Sequence, residues 1–390
     1  ESAMLMPPEA VGLLQELVRI PSPNPPGDTR RIAEYIAQIM REGGCTVSMP
    51  APDEKPEAVN VIATIGSGEP VIMLHAHIDT VPIAADEAGK WSMDPYAGDV
   101  RDGKLYGKGS VDDKAPLAAM MLAMLHAAQN ADRLTGTLVL VAAAEEETGG
   151  QLGTRWLADN GHLPACDFIV VGEQTHNRVA VAHKGVMRAV VRATGRSVHA
   201  TNPDRGINAI TAMARAVLAL EAYHQELTQR VHPIVGTPTC NVGVISGGST
   251  ANAVPDSCTV WLDRRMVPRE SPEDVQAELK AVIAQVDVSP ASISIGDFLF
   301  SSWFESSLDS PLAHTFMACV RRELNADPGP VGYLPGSDAK HLLGQMRGEM
   351  IIFGPGSYEV AHAYDEYVDI AEYQATLNIL TDFVEQTLLA

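Results

Sequence analysis

With 390 residues the chain is too long for one ordinary hydrophobic core, and two domains are the natural division. A composition of 46% hydrophobic and 20% charged residues is that of a soluble globular protein, and no apolar run reaches the roughly 20 residues that a membrane span needs. A net charge of -21, from 28 basic and 49 acidic residues, argues against nucleic acid and anionic membranes as partners.

Glu1-Ser2-Ala3 offers neither an initiator Met nor the basic-then-apolar order of a signal peptide, so a native start is expected at Met4 or Met6. Residues 7–20 read as an amphipathic helix, and 21–27, with four prolines, as a loop. Asp28 is the predicted N-cap of a helix over 29–42, ended by Gly43-Gly44. Residues 59–65 and 71–74 read as neighbouring strands. Residues 114–129 form an Ala-, Leu- and Met-rich helix whose methionines serve as core filler. Residues 138–143 and 168–171 are short, continuous apolar runs. Strands that alternate with helices and are apolar throughout indicate an α/β domain with a mostly parallel sheet.

The pattern changes near residue 180. A half-exposed strand at 186–193 is followed by a helix (208–223), strands at 240–245 and 258–263, a helix (271–286) and a last strand at 293–295. That β-α-β-β-α-β order is a split βαβ unit of ferredoxin-like type. A small domain is therefore expected at 180–296, inserted into a discontinuous catalytic domain of 1–179 and 297–390. The remainder reads as a helix (311–324), a strand (350–353) and a final helix (371–389). Cys45, Cys166, Cys240, Cys258 and Cys319 are scattered and form no C-x-x-C, which favours a reducing, cytoplasmic setting over disulfides or a thiolate zinc site.

The chemistry begins where the run 71–74 leads into His75-Ala76-His77-Ile78-Asp79. Positions i and i+2 of a strand share a face, so Asp79 is placed to orient His77, and metal-binding histidines need such a carboxylate. A lone His-x-Asp is also an ordinary strand-end pair. Here, however, carboxylates and imidazoles recur after predicted strands: Asp112-Asp113 before the Ala-rich helix, Glu145-Glu146-Glu147 after 138–143, Glu173 after 168–171, and His362 with Asp365-Glu366 after Gly354-Pro355-Gly356. Open α/β sheets bind ligands at the carboxyl ends of their strands. Three successive glutamates gathered there would repel one another strongly without a cation.

Taken together, these segments resemble the M20 family of dinuclear metallohydrolases. The matches are H-x-D-T-V-P at 77–82, G-K-G-S-x-D-D-K at 107–114, E-E-T-G-G at 146–150, G-E at 172–173 and A-H-x-x-D-E at 361–366, and they span nearly the whole chain. The resemblance implies that His77 and Glu173 bind one metal, Glu147 and His362 the other, and that Asp112 bridges them, with a cis peptide at Asp112-Asp113. Asp79 would orient His77, and Glu146 would be the general base acting on the water between the metals. The inserted domain would be a lid and dimerisation domain. Within it His199, in Gly195-Arg196-Ser197-Val198-His199-Ala200, would reach the partner's active site and bind the oxyanion. Asn252 would lie near the same oxyanion. Arg265 and the Gly336-Ser337-Asp338 loop match groups that hold a substrate carboxylate.

The reading is a homodimeric hydrolase of an N-acyl amino acid or small peptide-like amide. It uses two divalent metals, zinc by default with Mn or Co as alternatives. A second reading is hydrolysis of a non-peptide C–N bond, in an aryl amine or carbamoyl group, and a third is a non-catalytic binding homologue. Gly98-x4-Gly103-Lys104 imitates a phosphate loop but lacks its Ser/Thr. His75 reads as a packed core residue, and His183-Lys184 as hinge structure. Ala76, Glu145 and Ala115-Pro116 depart from the family pattern without removing a ligand.

Overall fold

Strands that are apolar on both faces are stable only inside a sheet covered on both sides. In the computed structural model, which describes residues 7–389, they form the centre of one; the expected starts at Met4 and Met6 lie outside the described residues. The first six strands of this nine-stranded sheet run in the order Thr46–Ser48, Val61–Gly66, Thr137–Ala143, Val71–His77, Cys166–Gly172, Met346–Phe353. The last four of these are mutually parallel, and the first two join antiparallel. The segments expected to be neighbours, 59–65 and 71–74, are separated by Thr137–Ala143, because a parallel strand returning through the helix Ala115–Gln129 takes the place between them.

That helix is buried along nearly its whole length between the sheet and the helix Ile370–Leu388. Phe168, Phe316, Phe353 and Phe383 meet ring to ring at 5.0–5.8 Å and join the helices Pro311–Leu324 and Ile370–Leu388 to two of the parallel strands. Helix Arg30–Glu42 is capped at Thr29, one residue later than expected. The Thr29 hydroxyl serves the carbonyls of Glu57 and Val59 instead, while Asp28 still accepts the Arg30 N–H at 3.1 Å. The would-be phosphate loop is a hairpin of Val100–Arg101 and Lys104–Tyr106, with Lys104 over the Tyr367 ring at 3.9 Å.

Residues up to Val181 together with those from Ser306 onward form one compact unit, and Ala182–Glu305 form a second. The second is a four-stranded antiparallel sheet in the order Thr239–Gly247, Ser257–Met266, Gly185–Thr194, Ser292–Ser301. This is the ferredoxin-like order. The last strand is far longer than the three residues expected, because after an irregularity between Gly296 and Leu299 it pairs again with Gly185–Thr194 through Leu299, Phe300 and Ser301. Helices Ala209–Leu227 and Pro272–Ala284 pack on one face through Met213, Leu220, Val275 and Leu279, and are capped by the side chains of Asn208 and Ser271. Among the described residues no helix is long and apolar enough to cross a membrane.

Candidate metal centre and active site

The parallel strands deliver their polar residues to one edge of the larger unit. His77 is the last residue of Val71–His77, Glu146 and Glu147 follow Thr137–Ala143, and Glu173 follows Cys166–Gly172. His362 lies in the loop after Met346–Phe353 with φ 62°, and Asp112 lies in the irregular turn Ser110–Lys114. The Asp112–Asp113 peptide is cis.

Asp112 joins two groups. Its Oδ1 is 3.0 Å from His77 Nε2, and its Oδ2 is 3.0 Å from His362 Nε2. His362 Nε2 is in turn 3.1 Å from Glu147 Oε2. One ligand atom from each of His77, Asp112 and Glu173 falls within a 4.8 Å spread, and the same is true of Asp112, Glu147 and His362. Imidazole and carboxylate atoms so spaced suit cations with ligand bonds of about 2.0–2.2 Å. All but the half-exposed His362 ring are largely withdrawn from water.

The electrostatics point the same way. Burial pushes Glu146 up to about 8, aided by the charges of Asp338 and Glu147 against the relief from His77 and Lys340. Burial and the charges of Asp113, Asp112 and Glu146 push Glu173 well above the carboxylate range, and burial with Asp112 does the same to Asp113. Burial would raise Asp112 too, but hydrogen bonds from His362 and His77 hold it low. Asp112 and Glu147 push His362 up to about 10. Burial opposes charge on His77, yet its bonds to Asp112 and Asp79 raise it well above its usual value. Carboxylates crowded so closely lack positive charge, and divalent cations between them would supply it.

Asp79 faces the His77 ring with both its main chain and its side chain, and also holds the neighbouring backbone. His77 Nδ1 is 2.9 Å from the Asp79 backbone carbonyl and 3.5 Å from its carboxylate. The carboxylate also accepts the backbone N–H groups of Glu146 (3.1 Å) and Glu147 (3.2 Å) and the Asn24 amide (2.8 Å). Glu145 departs from expectation. It sits at φ 68° and pairs with Lys55 at 2.5 Å, so its charge is met by a lysine and not by a metal cation.

A cavity of about 190 Å³ opens over Asp112, Glu146, Glu147, Glu173 and His362, with Gly336 on its wall. Ser337 is buried and spends its hydroxyl on the Ala339 N–H. Asp338 takes the Thr154 hydroxyl at 2.5 Å, and His75 bonds to that same hydroxyl at 2.7 Å as a packed core residue. In the smaller unit His199 is exposed. Its Nδ1 accepts the Thr201 N–H, which leaves Nε2 as the protonated nitrogen of the neutral ring. Asn252 is its neighbour, since the Asn252 carbonyl accepts the Ala200 N–H and His199 bridges Ala253. Arg265 is half-buried and paired with Asp263 at 2.6 Å.

Sequence reasoning missed several supporting residues. Glu366 is buried and accepts the N–H groups of Gly109, Val111 and Asp112 at 3.1–3.2 Å, fixing the turn that carries Asp112. It ends the A-H-x-x-D-E segment, and that placement was its only signal. Asn24 sits in the proline-rich loop, which is held against Thr80 by backbone bonds of 2.7 and 2.9 Å. Gln174 and Tyr333 had no signal in the sequence.

Comparison with known proteins identifies the family. Residues 73–386 match the model of Peptidase family M20/M25/M40. The chain is 29% identical to an acetylornithine deacetylase of Proteus mirabilis over 92% of this chain and 90% of that protein. It is 27% identical to a probable succinyl-diaminopimelate desuccinylase of Staphylococcus epidermidis over 96% of each. The solved aminopeptidase PepT of Bacillus cereus superposes with a TM-score of 0.77 at 20% identity, covering 98% of both chains. The chain is a hydrolase and belongs to peptidase family M20/M25/M40.

Proposed function

We propose that the protein is a homodimeric amidohydrolase, dependent on two divalent metals, that removes the acyl group from an N-acyl amino acid or cleaves a small peptide-like amide. The observation that carries this reading is Asp112, whose two oxygens each face a different imidazole within two overlapping ligand groups. His77, Asp112 and Glu173 would hold one cation, and Asp112, Glu147 and His362 the other. Cations there would polarise the scissile carbonyl and acidify a water between them. Glu146 has no place in either ligand group and lines the same cavity, so it is free to take the water's proton and deliver it to the leaving amine. The names of the relatives, a deacetylase and a desuccinylase, support an N-acyl amino acid as substrate. In this proposal zinc is the resident metal, His199 stabilises the oxyanion in the partner's site with Asn252 beside it, and Arg265 and Gly336-Ser337 hold the substrate carboxylate. Five free, buried cysteines support a cytoplasmic setting.

The test is hydrolysis of N-acetyl and N-succinyl amino acids, dipeptides, carbamoyl amino acids and aromatic amines, before and after chelation and metal add-back. Cleavage of an N-acyl amino acid, lost on chelation and restored by metal, is the expected result. Failure on every amide by protein shown to hold two metals would overturn the assignment of substrate. Glu146→Gln should keep both metals and lose roughly 10²–10⁴-fold in turnover; near-normal turnover would remove Glu146 as the base.

A further inference from the structure

Two side chains outside the ligand set touch one half of it. Gln174 directly follows Glu173 and is 2% exposed. Its amide Nε2 donates to Asp112 Oδ1 (2.9 Å) and to Glu173 Oε2 (3.1 Å). Tyr333, at the end of strand Pro330–Tyr333, places its hydroxyl 2.9 Å from Glu173 Oε2 and 3.0 Å from Gln174 Oε1. Four short contacts thus share three hydrogens, two from the amide and one from the hydroxyl.

The contacts are one-sided. Asp112 Oδ1, which Gln174 holds, is the oxygen that faces His77; Oδ2 faces His362. Among the described residues, neither Gln174 nor Tyr333 is hydrogen-bonded to Glu147 or His362. Donors on one oxygen of each carboxylate fix its torsion and withdraw charge from it, and so set how strongly that carboxylate can hold a cation. A purely packing role would favour apolar side chains here, since buried polar groups are costly unless their partners stay in place.

Resting on the dinuclear reading above, we infer that Gln174 and Tyr333 are positioning residues that favour one cation position over the other, the one formed by His77, Asp112 and Glu173. The position formed by Asp112, Glu147 and His362 meets Gln174 only through the shared Asp112, at the oxygen turned away from His362, and shares no ligand contact with Tyr333. Both residues act through the ligands they hold.

The experiment titrates metal-stripped protein with Zn²⁺ alone by calorimetry and with Co²⁺ alone by visible absorption. Tyr333→Phe removes the hydroxyl; Gln174→Met keeps the length of Gln without its donors. Each is measured in a His362→Ala background, which leaves the His77 position intact, and in a His77→Ala background, which leaves the other. We expect affinity to weaken roughly 10- to 100-fold in the first background, with a shifted Co²⁺ band; in the second, Tyr333→Phe should leave it unchanged and Gln174→Met should weaken it less than in the first. Equal weakening in both backgrounds, or none in either, overturns the inference while the dinuclear reading stands on wild-type uptake of two equivalents. A wild-type chain that takes up no metal overturns both. Melting of the metal-free variants reports their folding. If Gln174→Met does not fold, Tyr333→Phe decides through the same contrast.

Discussion

At Asp79 the carboxylate holds backbone as well as facing the His77 imidazole at 3.5 Å. Its two oxygens accept the N–H groups of Glu146 and Glu147, and Asn24 secures it from the far side. The position of Glu146, the proposed base, is thereby fixed through the main chain. Asp79→Asn puts an NH₂ where an oxygen accepted, so a donor faces a donor. We predict a loss of about 1–3 kcal/mol in stability and a fall in turnover with metal content retained. Unchanged melting and turnover would show that the clamp is dispensable. The sequence led to Asp79 by its spacing from His77, but its other partners come from residues more than fifty positions away and were not legible. Glu145 teaches the same lesson: in the sequence it belongs to a glutamate run, while in the fold it belongs to Lys55.

Helix Pro311–Leu324 shows how an element can depend on one distant carboxylate. Ser310 caps it by accepting the Ala313 N–H at 3.1 Å, as its sequence position suggests. Glu349, on strand Met346–Phe353, adds a second layer by accepting from the Ser307 hydroxyl (2.6 Å), the Asp309 N–H (2.7 Å), the Ser310 N–H and the Ser310 hydroxyl. Burial would raise Glu349, but these donors hold it below the ordinary carboxylate value. A depressed folded value means the contribution is complete above the unfolded value of 4.5 and is lost as pH falls through the folded one. We therefore predict that Glu349→Gln costs about 1.5–3 kcal/mol near neutrality. The difference in urea midpoint between wild type and variant should hold steady above pH 4.5 and close below it. A difference that widens in acid would contradict this. The helix itself was predicted to the residue, because its cap, its Pro at N1 and its period are local. The carboxylate that tethers it was not.

At the scale of the whole molecule, the acid excess and the site are linked. In the metal-free protein Glu146, Glu147, Glu173, Asp113, His77 and His362 are all raised. A raised group binds its proton more tightly when folded, so stability is lost as pH climbs through its folded value. Asp112 is held low, which acts in the opposite sense but only below the ordinary carboxylate range, and His75, lowered by burial to about 4, also opposes but is outnumbered by the six raised groups. The melting temperature of chelated protein should therefore fall as pH rises from about 4.5 toward 8, the span between the model and folded values of Glu146. Saturating zinc should flatten that slope, since a cation favours the ionised ligands. A chelated protein that gains stability over this span would contradict the charge account. The second prediction at this scale concerns assembly. His199→Ala should lower turnover without unfolding the protein. A mixed dimer of His199→Ala with a metal-ligand variant should regain activity if His199 acts across the interface; none regained would place its action elsewhere.

What the sequence determined by itself follows from short-range rules. Apolar runs alternating with helices specified the mostly parallel sheet. The β-α-β-β-α-β order specified the smaller unit, the clustering of His, Asp and Glu at strand ends marked the segments of the candidate site, and the family resemblance singled out His77, Asp112, Glu146, Glu147, Glu173 and His362 within them. Each signal is carried by neighbours a few residues apart, or by a motif contiguous in the chain. What the tertiary structure decided lies across the fold. It inserted Thr137–Ala143 between two strands that are sequential neighbours. It gave Glu366 to the backbone of the Asp112 turn, Lys55 to Glu145, and Gln174 and Tyr333 to one side of the ligand set. Such partners are chosen by which buried donors lie within hydrogen-bond reach once the strands have paired. That is a property of the packed interior, and spacing along the chain does not encode it.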